Sequence, residues 1–101
     1  MADNPNFPIA TAAVSWFDSS NALHIRVYSC DGYNVIERCM DQGGSGWTAG
    51  GFSAAGSAVS ATCWTASDGV HIRVYCTNQD QTTEYCCDPA TGWTTGSYTT
   101  Q

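Results

Sequence analysis

Apolar and polar residues alternate along most of the chain in short runs, which is the pattern of half-buried β-strands. In the segment His24-Ile-Arg-Val-Tyr28, for example, Ile25 and Val27 point to the face opposite His24, Arg26 and Tyr28. Clusters of Gly, Ser and Asp separate the runs, and no window keeps the 3.6-residue period of an amphipathic helix. The pattern predicts an all-β chain with eight strands, near residues 10–16, 23–29, 34–41, 46–52, 58–65, 70–77, 81–88 and 92–98.

The strand pattern occurs twice. The segment His24-Ile-Arg-Val-Tyr28 returns 47 positions later as His71-Ile-Arg-Val-Tyr75, and Glu37-Arg-Cys39 returns as Glu84-Tyr-Cys86. The eight strands therefore form two four-stranded antiparallel sheets, which we expect to be joined by residues 53–57. The flanking sequences repeat as well, Ala-Val-Ser-Trp16 as Ala-Thr-Cys-Trp64 and Gly46-Trp-Thr-Ala-Gly-Gly-Phe52 as Gly92-Trp-Thr-Thr-Gly-Ser-Tyr98.

Four strands in a repeat of about 40 to 50 residues form the blade of a β-propeller, which typically has about 4 to 8 blades. Two blades cannot close a ring, and a monomer would leave an apolar blade face bare at each end. We therefore expect cyclic assembly, as a trimer with six blades or a dimer with four. Within the 101 residues we expect a leader at 1–8, blade 1 at 9–53 and blade 2 at 54–101, completed as one domain by oligomerisation.

The dipeptide Asp31-Gly32 lies between two apolar runs and predicts a two-residue hairpin turn, because Gly tolerates the positive φ of such turns. A turn at these two residues would fix the pairing of the flanking strands. It would place Arg26 opposite Glu37, Tyr28 opposite Val35 and His24 opposite Cys39.

Charged residues are scarce, with three Arg, no Lys and nine carboxylates for a net charge of −6. Nucleic acid and membrane insertion are therefore not expected. The six Cys suggest a disulfide framework, but the start Met-Ala-Asp-Asn-Pro lacks a signal segment. Free thiols are expected, in a protein that is cytoplasmic or exported by a non-classical route. Whether Cys63 and Cys76 form a disulfide is not decided by the sequence.

An Arg beside a Glu offers hydrogen-bond donors and acceptors together, which suits the adjacent hydroxyls of a sugar. Trp47 and Trp93 follow Gly at equivalent fourth strands, and an indole can cover the apolar face of a sugar. The alternative is that the Arg/Glu pairs are cross-strand ion pairs with a structural role only. The recurrence of scarce charges in both repeats favours sugar binding. Trp16 and Trp64 end the first strand of each repeat and are expected in the core.

Catalysis is not expected, because glycoside hydrolysis generally needs two carboxylates of which one is protonated. Each repeat supplies one Glu, and a neighbouring Arg favours its ionised form. His24 opposite Cys39, and His71 opposite Cys86, would give two ligands where zinc usually takes at least three from the protein. No metal or other cofactor is predicted.

At these residues the sequence resembles the fucose-binding lectins of the Aleuria aurantia type, and most of all the short two-repeat lectins of the Ralstonia solanacearum type. The shared elements are Ile-Arg-Val-Tyr, Glu eleven residues after Arg, then Cys, Asp, Gly-Trp and Gly-Gly-Phe or Gly-Ser-Tyr. The resemblance implies a non-enzymatic lectin for fucose and fucosylated oligosaccharides or glycoproteins. It also implies a homotrimeric six-bladed propeller with sites alternately within and between chains. The alternative is a structural β-assembly protein without sugar binding.

The resemblance also implies the residues of two sites. Three residues after each Glu the short lectins have a second Trp, whereas this chain has Met40 and Cys87, which we expect to touch the sugar. The adjoining loops are longer by two residues around 42–45 and by one around 89–91. The first site would combine Arg26, Glu37, Trp93, Cys87 and the backbone near Gly51, and the second Arg73, Glu84, Ser97 and, from the adjoining chain, Trp47 and Met40.

Overall fold

The computed structural model describes residues 7–100, which form eight strands in two sheets. Most of the expected leader therefore lies outside the described residues. No helix occurs within residues 7–100, and so none that could span a membrane. The strands are β1 (Ala10–Phe17), β2 (Leu23–Cys30), β3 (Asn34–Asp41), β4 (Trp47–Ala55), β5 (Ala58–Ala66), β6 (Gly69–Asn78), β7 (Gln81–Asp88) and β8 (Gly92–Thr99).

All eight predicted strands are confirmed, in two antiparallel four-stranded meanders ordered β1-β2-β3-β4 (blade 1) and β5-β6-β7-β8 (blade 2). The predicted connection at residues 53–57 was too long. Ser53 to Ala55 continue β4, so only residues 56–57 join the two sheets.

The β2–β3 turn differs from the prediction by one position. Gly32 and Tyr33 are its central residues, with φ +99° at Gly32, and the N–H of Asp31 donates to the carbonyl of Asn34 at 3.2 Å. Asp31 is instead the residue before the turn, where its Oδ1 accepts the N–H groups of Tyr33 and Asn34, each at 2.9 Å. The predicted pairs were therefore wrong: Arg26 pairs with Cys39, Tyr28 with Glu37, His24 with Asp41 and Cys30 with Val35.

The pairing differs by two positions, so every side chain keeps its predicted face. Arg26 and Glu37 lie on the same face as diagonal neighbours, a placement that typically separates two residues by about 7–8 Å. Met40 pairs with Ile25 and Trp47 on the opposite face, as predicted.

The two blades pack face to face around a shared apolar core. Blade 1 contributes Tyr28, Cys30, Val35 and Phe52, and blade 2 contributes Ile72, Val74 and Cys76, all no more than 5% exposed. Full burial of one such apolar side chain is worth about 1.5–3 kcal/mol. At this interface Phe52, beside the Glu37 face of blade 1, contacts Tyr85 and Trp93 on the third and fourth strands of blade 2.

The outer face of each blade is not covered by the other blade. On blade 1, Ile25 and Val27 are only half-buried, whereas their repeat counterparts Ile72 and Val74 are 3% and 0% exposed. Trp47 on this face is 48% exposed, and a hollow of about 410 Å³ lies beside it. The two outer faces are thus unpaired copies of the surfaces that form the blade interface.

All six cysteines are free thiols. The bridge left open between Cys63 and Cys76 does not form, because Cys63 pairs with Ile72 and Cys76 pairs with Val59. The two cysteines are therefore four residues apart along paired strands, about 13 Å, which is beyond the reach of a disulfide.

Candidate binding site between the blades

Arg26 is held by an aspartate of its own blade and not by Glu37. Its Nη1 donates to Asp41 Oδ1 at 2.8 Å and to the carbonyl of Ile25 at 3.0 Å. No ion pair joins Arg26 to Glu37 in the described part of the chain, so the predicted Arg/Glu pair was wrong. In the observed register Arg26 lies opposite Cys39. Glu37 and Asp41 are therefore its two diagonal neighbours on the same face, and Arg26 bonds to Asp41.

A histidine ties the same aspartate to the sheet. His24 Nδ1 bonds to Asp41 Oδ1 at 2.6 Å and Nε2 bonds to Asp18 Oδ2 at 2.8 Å. Two carboxylates can both be satisfied only if both ring nitrogens carry a proton. Asp18 first, and then Asp41, raise the pKa of His24, while His24 first, and then Arg26, lower the pKa of Asp41. Asp18, His24 and Asp41 together form what we term the arginine anchor.

Trp16 covers this anchor. The Arg26 Cζ lies 5.0 Å from the centre of the Trp16 ring, and the His24 ring stacks on the indole at 5.2 Å and 13°. A cation–π contact of this kind attracts the Arg26 guanidinium to the face of the indole. Trp16 packs at the edge of the core and also fixes the direction of the Arg26 side chain.

Blade 2 repeats the anchor with nearly the same distances. Arg73 Nη1 donates to Asp88 Oδ1 at 2.8 Å, and His71 bonds to Asp88 at 2.6 Å and to Asp68 at 2.9 Å. Trp64 lies 4.8 Å from Arg73 and stacks on His71 at 5.3 Å. Because Trp64 is 45% exposed, its expected core position was wrong.

Glu37 is a buried acceptor held at both oxygens. It is 6% exposed, its Oε2 accepts the Tyr28 hydroxyl at 2.8 Å, and its Oε1 accepts the Phe52 N–H at 3.3 Å. A carboxylate has about four acceptor positions, so each oxygen can accept a further hydrogen bond from a ligand. Burial first, and then Glu37, raise the pKa of Tyr28, so that its hydroxyl remains a donor.

Glu84 has the equivalent two partners in blade 2. Its Oε2 accepts the Tyr75 hydroxyl at 2.8 Å and its Oε1 accepts the Tyr98 N–H at 3.2 Å. These bonds, the one from Tyr75 first, lower the pKa of Glu84. The group is thus an ionised acceptor and is unsuited to act as a general acid.

Blade 2 supplies an aromatic wall beside Glu37. The Trp93 ring lies 4.5 Å from that of Phe52 and 6.3 Å from that of Tyr28, across the blade interface. Cys87 pairs with Trp93 on the neighbouring strand and lies beside the same wall. Burial first, and then the negative charge of Glu37, raise the pKa of this thiol. A cavity of about 170 Å³ opens here, lined by Gly51, Phe52, Ser53, Tyr85, Trp93, Thr94 and Thr95.

The chain thus brings together the residues predicted for the first site, and it separates those predicted for the second. Arg73, Glu84 and Ser97 belong to the outward half of blade 2, and Trp47 and Met40 to the outer face of blade 1. Within one chain these two halves do not meet.

Sequence reasoning missed the groups that hold Arg and Glu in place. The anchor aspartates Asp41 and Asp88 both follow the repeated Cys by two residues, so they recur 47 positions apart and could have been found by the same repeat. Tyr28 and Tyr75 recur in the same way. Asp18 and Asp68 could not have been found from the repeat, because they lie six and three residues before their histidines, in loops of different length.

No metal site arises from these groups. The expected His24–Cys39 opposition was wrong, since His24 pairs with Asp41. In residues 7–100 no three His, Cys, Asp or Glu side chains are arranged to hold a metal ion.

Comparison with known proteins places this arrangement in a family. The profile of the fungal fucose-specific lectins matches residues 4–101. The chain belongs to that family. Its function is that of a fucose-binding lectin, and the sequence-based expectations of family and all-β fold are confirmed.

A solved structure supports the same placement. A fucose lectin from Kordia zhangzhouensis, in complex with methyl-fucoside, is 40% identical and superimposes with a TM-score of 0.72 over 93% of this chain and 70% of that one. No curated protein sequence matches the chain.

Proposed function

We propose that this lectin binds fucose at two kinds of site, each at a boundary between blades. The first lies within the chain, where Arg26 and Glu37 of blade 1 meet Trp93 and Cys87 of blade 2. The second forms between chains, where Arg73 and Glu84 meet Trp47 and Met40 of the neighbouring copy. The ligands in this proposal are fucose and fucosylated oligosaccharides or glycoproteins.

The observation that carries the proposal is the meeting of fixed polar groups with an aromatic wall at the blade interface. Among the described residues, Arg26 uses only Nη1 for protein acceptors, so its other N–H groups are available to hydroxyl oxygens. Glu37 has acceptor positions left for hydroxyl hydrogens. Fucose offers adjacent hydroxyls to this pair and a methyl group to the Trp93 ring.

The internal repeat supports assembly as a homotrimer. The Arg/Glu face of blade 1 packs on the Ile72/Val74 face of blade 2, and the chain carries a bare copy of each of these surfaces. Docking the Arg/Glu face of blade 2 onto the Ile25/Val27 face of another copy is a head-to-tail contact, which closes when the ring is complete. Three chains give six blades, six sites and a closed propeller.

Binding without catalysis fits the protonation of the carboxylates. The pKa of Glu84 is lowered by Tyr75 and the Tyr98 N–H, and that of Asp88 by Arg73 and His71. Neither group is a source of the proton that glycosidic bond cleavage requires. A purely structural role for the Arg/Glu pairs is not favoured, because Arg26 and Arg73 are paired with aspartates of their own blades.

Titration with methyl-fucoside tests the proposal. The parent protein should bind two sugars per chain, with heat that reports both kinds of site. Trp93→Ala should remove the site within the chain and Trp47→Ala the site between chains, so that each variant binds one sugar per chain. Binding of two sugars by both variants, with folding verified by circular dichroism, would overturn the assignment of the sites.

A further inference from the structure

A bulge in the fourth strand faces each of the two site glutamates. Along β3 and β4, Ile36 pairs with Ser53 and Arg38 pairs with Ala49, so Glu37 alone is opposed by residues 50–52. In blade 2 the same irregularity opposes Glu84 to residues 96–98. Such a bulge bends the strand locally, and here it directs the N–H of Phe52 or Tyr98 at the carboxylate.

The first residue of each bulge is a glycine that the glutamate side chain covers. A Cβ built on Gly50 would lie 2.6 Å from both Cγ and Cδ of Glu37, and still closer to Oε1. A Cβ on Gly96 would lie 2.7 Å from Cδ of Glu84 and 2.8 Å from Sγ of Cys86. Non-bonded carbon atoms do not approach so closely, since contact between them is optimal at about 3.5–4.0 Å.

Backbone conformation does not explain these two glycines. The glycines with a positive φ are Gly32, Gly43, Gly46, Gly69 and Gly92, and neither Gly50 nor Gly96 is among them. Alanine could therefore adopt the backbone at both positions. At position 50 the three atoms nearest a new methyl group all belong to Glu37, whereas at position 96 they belong to Glu84 and to Cys86.

We propose that Gly50 and Gly96 are positioning residues of the two sugar sites: the missing Cβ is the space in which Glu37 and Glu84 lie with both carboxylate oxygens held for the ligand. The role in sugar binding rests on the proposed function above, whereas the steric role does not. With a methyl group at position 50, Glu37 must turn away from the Tyr28 hydroxyl and the Phe52 N–H.

The two positions should differ in what a methyl group does to stability. Glu37 is 6% exposed and Tyr28 is 0% exposed, so moving Glu37 strands a buried hydroxyl. In the single chain Glu84 and Tyr75 are less buried, and water can replace the lost bond there. In the proposed ring the neighbouring chain covers this pair, so Gly50→Ala should lower the stability of the chain itself and Gly96→Ala the stability of the contact between chains, while both lower binding.

A double-mutant cycle in thermal unfolding tests the steric role. Gly50→Ala should lower the Tm of the parent by about 5 °C, which is a typical shift for loss of one buried hydrogen bond in a domain of this size. In a Glu37→Ala background the same change should cause no drop, because the three atoms nearest the new methyl group all belong to Glu37. Ala49→Ser, on the exposed preceding residue, is the control in both backgrounds. Equal drops in the two backgrounds would overturn the proposal.

Titration with methyl-fucoside then tests the positioning role. Folded Gly50→Ala should bind one sugar per chain where the parent binds two, and Gly96→Ala should lose the other site. Two sites of parental affinity in either variant would overturn the proposal. If the parent binds no fucose, the proposed function fails, and the unfolding cycle still decides whether Gly50 positions Glu37.

Discussion

The Arg26/Glu37 face of blade 1, which blade 2 covers, and the uncovered Arg73/Glu84 face of blade 2 contain the same polar groups in different surroundings. Arg and Asp are 2.8 Å apart in both, and so are the Tyr hydroxyl and Glu. In the covered site Phe52 is 5% exposed, whereas its counterpart Tyr98 is 47% exposed. The interior of one blade therefore fixes the polar half of a site, without help from any neighbour.

The aromatic half of each proposed site, by contrast, comes from the next blade. Trp93 is half-buried against Phe52, while Trp47 is 48% exposed because nothing in residues 7–100 covers it. In the proposed sites each blade thus contributes polar groups from one face and an aromatic side chain from the other. By this proposal one chain completes one site and carries two halves of another.

Loss of both arginines should have the largest effect on function. Arg26→Ala with Arg73→Ala removes the charged donors of both kinds of site, and hydrogen bonds to charged groups are worth about 1.5–3 kcal/mol each. Agglutination of fucose-bearing cells depends on several sites binding together, so we expect it to be abolished. Each single variant should keep one kind of site and agglutinate only at higher concentration.

The control for the arginine variants is assembly. Light scattering and far-ultraviolet circular dichroism should match the parent, since in residues 7–100 the hydrogen bonds of Arg26 and Arg73 stay within their own blades. Agglutination retained by a folded double variant would contradict the assigned residues.

Aromatic substitutions at Met40 and Cys87 should sharpen the difference between the two sites. Both face the next blade, and Trp would add a broad ring and an N–H donor in place of a flexible or a small side chain. We expect Met40→Trp and Cys87→Trp each to tighten sugar binding by on the order of 1 kcal/mol, with the larger gain at Cys87. Unchanged titration curves for both assembled variants would place these side chains away from the sugar.

A smaller effect is expected from pH, because the stability of the fold depends on the protonation of the arginine anchors. The pKa of His24 is raised above 6.5 in the folded chain, and that of His71 likewise. The stability that they add is fully present below pH 6.5 and is lost as the pH rises through the raised values. The pKa of Asp41 is lowered, so its contribution is present above pH 3.8 and lost below it as the pH falls through the lowered value. The anchors should stabilise most between these limits.

Thermal unfolding between pH 6 and 8 measures this effect. The Tm of the parent should fall across the interval by a few degrees, and fucose affinity should weaken slightly because Asp41 holds Arg26 less firmly. His24→Asn with His71→Asn should have a lower Tm and a flatter profile. Measurements stop near pH 8, because burial raises the pKa of Cys76 from 9.0 to about 11 and its ionisation in the unfolded chain adds a further slope above that range. A parallel slope in the variant would contradict the role of the histidines.

The strands and their faces could be predicted from the sequence because alternation and the internal repeat are both strong signals. The turn could not be assigned to the right pair of residues. Asp31-Gly32 and Gly32-Tyr33 place glycine equally well, and the choice depended on Asp31 accepting two backbone N–H groups. An error of one turn position shifted every strand partner by two residues. Arg26 therefore lies opposite Cys39, and its ion pair is with Asp41.

The residues expected at the first site lie together, but the way in which they are held could not be predicted. Arg26, Glu37, Trp93 and Cys87 are brought together as expected, yet nothing in strand alternation indicates that Glu37 would lie across Gly50 at a bulge. Bulges depend on local pairing, which a hydrophobic pattern does not encode. The second site depends on surfaces of two chains and is a prediction still.

Native mass spectrometry in the presence of methyl-fucoside tests whether sites form only where two blades meet. We expect a trimer that carries up to six sugars, and a dissociated monomer that carries one, since a single chain completes a single blade boundary. A monomer that binds two sugars, or a trimer that saturates at three, would contradict this expectation.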